Sequence, residues 1–96
     1  ALVLSSSVLF LGAPAVAQGP RQDLVDYCTP CHGRDGIARD AEVPHIAGQN
    51  ELYLYNQMQA FRSGGRKHPE MRYMTRHMSA KDLEALAAYY SALPSR

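Results

Sequence analysis

CTPCHGRDG, residues 28–36, holds both cysteines of the chain and sets a histidine directly after the second. Two thiols packed this closely beside an imidazole narrow the chemistry. A disulfide between Cys28 and Cys31 would suit an exported chain, but it closes so small a loop that it adds little stability. A thioredoxin-like redox pair belongs beside a β-α-β pattern, and the sequence shows no strands. A zinc site needs two further ligands. His45, His68 and His77 could supply them, but there is no second C-x-x-C and no H-x-x-x-H pair. C-x-x-C-H is the attachment signature of c-type haem. Two thiols add across two vinyl groups on one porphyrin edge, and the histidine after the second is carried under the ring, where its imidazole can bind iron. The stretch therefore predicts one covalent haem c.

Composition agrees with a domain completed by a cofactor. Ninety-six residues allow one small domain. Residues 1–17, ALVLSSSVLFLGAPAVA, carry no charge, an apolar middle and small residues at Ala15 and Ala17. This fits the apolar region and A-x-A site of a secretory signal peptide. Cleavage is expected after Ala17, leaving residues 18–96 as the haem domain and placing it in the periplasm. The apolar run is shorter than the ~20 residues a spanning helix needs, so no stable membrane span is expected. Ten Lys plus Arg oppose nine Asp plus Glu, a balance of +1 that offers nothing to nucleic acid. A core this small is marginal without a staple, and a covalent cofactor would be one.

Outward from residues 28–36 the pattern is helical. Residues 20–29 open with Pro20 and place Leu24 and Tyr27 three apart, with Val25 and Cys28 beside them. They read as a short helix delivering the first cysteine. Residues 33–48, GRDGIARDAEVPHIAG, have no period and read as a loop. A loop this long needs a purpose, such as wrapping a haem edge. Residues 50–62 read as a helix capped by Asn50 and stopped near Gly64, with Leu54, Met58 and Phe61 on one stripe. Met58 on that stripe reads as core filler. The last helix starts at Ser79, with Asp82 in a capping-box position and Leu83, Leu86, Ala87 and Tyr90 on one face. Pro94 ends it, and Met78 can staple onto Leu83. Residues 66–79, RKHPEMRYMTRHMS, read as a loop.

These blocks carry a resemblance. CTPCHGRDG, PHIAGQ (residues 44–49), YLYNQMQAFRSGGR (residues 53–66) and MSAKDLEALAAYYSAL (residues 78–93) together resemble class I c-type cytochromes, nearest the bacterial cytochrome c4 and c553 group. The resemblance implies an all-α fold of three to four helices wrapped around one haem. It implies thioether links at Cys28 and Cys31, and His32 as proximal ligand with its other ring nitrogen bonded to the carbonyl of Pro44. The family methionine lies eight residues before the capping serine, which matches Met71. The small residue expected where the first and last helices cross is replaced by Arg21 or Gln22, and the family's P-x-L is P-H-I. Only one haem motif stands in these 96 residues, unlike the two-haem c4 arrangement.

The sixth ligand stays open at this point among Met71, Met74 and, less favoured, Met78, His68 and His77. A methionine–histidine pair is the usual high-potential arrangement. The same donors could in principle hold copper. Arg62, Arg66, Lys67, Arg72 and Arg76 make a basic stretch that can pair with haem propionates, Arg66 among them, or meet an acidic redox partner. The resemblance implies outer-sphere electron transfer rather than catalysis, as a periplasmic monohaem carrier. The alternative is the haem subunit of a larger dehydrogenase or oxidase, such as a flavocytochrome c sulfide dehydrogenase with its flavoprotein subunit. An enzyme or gas sensor with an open haem site is the third reading.

Overall fold

The best-specified element is the last one. Ser79 accepts a hydrogen bond from the Asp82 N–H, and the Asp82 carboxylate accepts one from the Ser79 N–H, so both halves of a capping box form. The helix behind it buries Leu83, Leu86, Ala87 and Tyr90 on one face, the spacing expected for a core-facing stripe. The computed structural model describes residues 21–96. In chain order its helices are α1 (Gln22–His32), α2 (Glu51–Ser63), α3 (Pro69–Thr75) and α4 (Ala80–Ser91). The described residues contain no strand, and none of their helices is long and apolar enough to cross a membrane. Residues 1–17, read as a signal peptide, lie outside the described residues.

One apolar cluster joins three of the helices. Leu24 and Val25 of α1, Leu54 of α2, Met78, and the inner face of α4 make it up. Cys28, Ile46 and Met58 pack against its edge, so Met58 does pack on the core. Met78 is buried in the same cluster as Leu83, as the staple requires. On α1 the buried stripe runs through Leu24 and Val25 while Tyr27 faces solvent.

At the α1–α4 junction Arg21 stands where a small residue is expected. Ala87 of α4, 1% exposed, is buried in the same cluster as Leu24 and Val25 of α1. Arg21, at the N-cap of α1, instead reaches across to the Asp82 carboxylate at 3.3 Å. The long cationic side chain thus lies over the junction rather than inside it.

Two boundaries differ from the sequence reading. The first helix starts at Gln22 and runs on to His32, three residues beyond Thr29, so both cysteines and the histidine are helical. Pro30 costs the ladder one N–H, but it falls in the last turn, and both it and Asp26 one turn earlier are exposed. The larger difference is α3. Residues 69–75, expected as loop, are a helix with Pro69 in the first turn and the His68 ring as cap. Pro69 carries no N–H to satisfy and has its φ already set, and Glu70 suits the positive end.

Loss of the capping box should be measurable. Ser79→Ala is expected to cost about 1 kcal/mol, lowering the melting temperature by about 4–8 °C in a domain this size. Lys81→Ala on the same helix, exposed and outside the box, serves as the control, and both are read by thermal unfolding.

Candidate functional site

A helix sets residues three and four apart on one face. Because α1 continues to His32, the Cys28 and Cys31 thiols and the His32 ring share a side of its last two turns. Gly33 ends the helix at φ 82°, its N–H bonded to the Thr29 carbonyl at 2.9 Å. Cys28 is half-buried against the core and Cys31 is exposed, both as free thiols.

The loop of residues 33–49 then folds back to meet the histidine. The Gly36 carbonyl accepts from the N–H groups of both Ile46 and Ala47, at 2.9 and 3.1 Å. Gly36 is required twice over: its φ is 74°, and a Cβ there would sit 2.8 Å from the Ala47 side chain. The Gly48 N–H donates to the Tyr90 carbonyl at 2.9 Å, tying the loop to α4. The Tyr89 hydroxyl donates to the Arg34 carbonyl at 2.8 Å. His45 is a further tie that sequence reasoning missed, its Nδ1 accepting from the Ala38 N–H at 3.0 Å. Only the ring's nitrogen chemistry signals this role, since nothing local in the sequence pairs residues 38 and 45.

This loop delivers the Pro44 carbonyl to His32 Nδ1 at 3.0 Å. A carbonyl only accepts, so Nδ1 carries the hydrogen and Nε2 is left with its lone pair. Burial, more than any other influence, lowers the His32 pKa, while the Pro44 bond works in the opposite direction. Repulsion from His68 adds to the lowering. The imidazole is therefore held neutral and oriented, as a metal-binding ring must be.

The thiol side is apolar. Burial pushes the Cys28 thiol up to about 11. The Tyr90 hydroxyl is the second influence and favours the thiolate, so it lies close to the sulfur. Yet it makes no hydrogen bond of ordinary geometry, and the buried oxygen has no partner among the described residues. A buried orphan hydroxyl carries a cost that asks for an explanation. An orphan hydroxyl, two free thiols one turn apart and an oriented imidazole together fit a haem on this side of α1. None of the acidic, thiol and imidazole groups among the described residues cluster as a conventional metal cage.

The remaining candidates fall as follows. Met71 is half-buried on α3, whereas Met74 is 37% exposed. His68 is engaged as the α3 cap, accepting from the Met71 N–H at 3.3 Å. His77 is exposed. Arg66 is exposed, with Nη1 donating to Gln57 at 2.6 Å and its guanidinium 4.7 Å over the Phe61 ring. Arg62 turns inward to donate to the Met78 carbonyl at 2.6 Å.

Comparison with known proteins points the same way. The family model described as Cytochrome c matches residues 17–93. The chain is 38% identical over 104 residues to cytochrome c4 of Stutzerimonas stutzeri, covering 94% of this chain and 50% of that protein. It is 38% identical over 93 residues to the thiosulfate dehydrogenase electron acceptor of Thiomonas intermedia (strain K12), covering 95% and 42%. The crystal structure of reduced recombinant cytochrome c4 from Pseudomonas stutzeri matches with a TM-score of 0.65 at 28% identity, over 79% of this chain and 51% of that one. The chain thus spans about half the length of the curated relatives it matches.

Replacing both Cys28 and Cys31 by alanine is expected to abolish haem staining of the denatured polypeptide on a gel. Each single substitution is expected to leave a stained band, held by the remaining link.

Proposed function

The chain belongs to the cytochrome c family, and on that premise we propose that it passes single electrons between redox partners in the periplasm, with His32 and Met71 as the two protein ligands of its haem. One haem c is held covalently through Cys28 and Cys31. When bound, the haem supplies a one-electron iron couple whose potential the axial ligands set. The chain's residues hold the surroundings constant. Pro44 fixes the tautomer of His32 and makes Nε2 a better donor. The apolar cluster under Cys28 keeps water from that edge. The chain carries electrons rather than transforming a substrate.

The observation that carries this reading is the 3.0 Å bond from His32 Nδ1 to the Pro44 carbonyl. Burial supports Met71 over Met74 as the second ligand. The cap role of His68 and the core position of Met78 support leaving both out, and with them the copper reading. Arg66 is proposed to pair with a haem propionate, since four of its five donors remain beyond the bond to Gln57. Residues 66–76 bring Arg66, Lys67, Arg72 and Arg76 to the exposed surface, with Glu70 as their one acid. We assign this face to an acidic redox partner.

A second reading has its own support. A relative named as a thiosulfate dehydrogenase electron acceptor favours service to a dehydrogenase, as partner or subunit. Pairing with a flavoprotein rests on the sequence pattern alone.

Met71→Ala is expected to abolish the red absorption band of a methionine–ferric bond, and Met74→Ala to leave it intact. The reverse pattern would move the ligand to Met74. With an acidic donor, the double change Arg72→Glu and Arg76→Glu is expected to slow reduction several-fold at low salt, with the gap closing as salt screens the charges. A rate independent of both would remove the assigned face.

A further inference from the structure

Thr75, 2% exposed, is buried although its short side chain is polar. Its hydroxyl donates to the Met71 carbonyl one turn earlier, at 2.8 Å. The same residue's carbonyl accepts from the Met78 N–H at 2.9 Å. The Met78 carbonyl in turn accepts from Arg62 on α2. At the other end, the Met71 N–H is held by His68.

The fold alone gives little reason for that hydroxyl. A threonine bonding back to the i−4 carbonyl does not strengthen a helix and tends to bend it. Valine has the same shape and would fill the site without burying a hydroxyl. A seven-residue helix is too short to be stable by itself, so its position depends on the ties at its two ends and on the buried Thr75 side chain. Methionine is unbranched, with three rotatable bonds, and a loosely held backbone would leave its sulfur poorly placed.

We propose that Thr75 is the positioning residue for the Met71 thioether, its hydroxyl fixing the Met71 peptide against the core through Met78 and Arg62. This rests on Met71 being the haem's second protein ligand. Thr75, 2% exposed and with its hydroxyl spent on the Met71 carbonyl, acts through Met71.

The test uses haem-loaded protein and titrates the ferric form with imidazole, which competes with the thioether. Thr75→Val is expected to bind imidazole about fivefold more tightly than the parent, the equilibrium worth of one hydrogen bond. Its melting temperature should fall by no more than the ~4–8 °C that one hydrogen bond is worth in a domain this size, which leaves it folded for the titration. Thr75→Ser, which restores the hydroxyl, is expected to return the affinity to the parent value. Should Thr75→Val fail to fold, Thr75→Ala reads the same loss. Parent-like imidazole affinity in the hydroxyl-free variants overturns the proposal, as does a Thr75→Ser variant that binds as tightly as Thr75→Val. Met71→Ala separates the two levels. If it binds imidazole no better than the parent, the ligand assignment itself fails; if it binds far better while Thr75→Val is unchanged, only the role of Thr75 is lost.

Discussion

The hydrogen bond from His32 Nδ1 to the Pro44 carbonyl joins the end of α1 to the far limb of the loop of residues 33–49, and much of the remaining architecture keeps those two atoms 3.0 Å apart. Gly36 makes the return of the loop possible by taking a positive φ and admitting Ala47 against its backbone. Gly48 and Arg34 fasten the loop to α4 at Tyr90 and Tyr89. α4 is in turn set by its capping box and by Leu83 and Leu86 in the core. Orientation of one imidazole is thus spread over the whole domain. That suits a group whose ligand strength must not drift as charge comes and goes.

Each half of the site is supported differently. The α1 half is covalent and helical, with cysteine spacing and helix geometry fixing each other. The α3 half is a short helix held by individual side chains: His68 at its start, Thr75 near its end, and Arg62 beyond it. Local stability in such a segment is set by a handful of ties rather than by a broad buried face. On the ligation proposed above, a change of ligand would therefore be easier on the α3 side than on the α1 side.

Most of the fold was legible because its signals are local. Ser79 with Asp82, Asn50, Gly64 and the apolar stripes of α2 and α4 all declare themselves within a turn or two, and each stands where the sequence places it. The cofactor was legible in five residues. α3 was not, because its cap is a histidine rather than one of the usual cap residues, and its seven residues have room for little more than one repeat of an apolar period. Pro69 followed by Glu70 was the available signal. Thr75 was also hidden, since a threonine among arginines, a tyrosine and a histidine reads as surface until packing shows it buried. The Arg21–Asp82 contact and the His45 tie span residues too far apart for any local pattern to pair them.

The central claim is that both axial positions of the haem are filled by this chain's own residues, which makes the site an electron carrier and closes it to substrates. Exposing the reduced, undenatured protein to carbon monoxide and recording its visible spectrum tests this most directly. The account predicts a spectrum unchanged over minutes, because His32 and Met71 occupy both positions. Immediate conversion to a carbon monoxide complex would contradict it and turn the site into one that binds ligands.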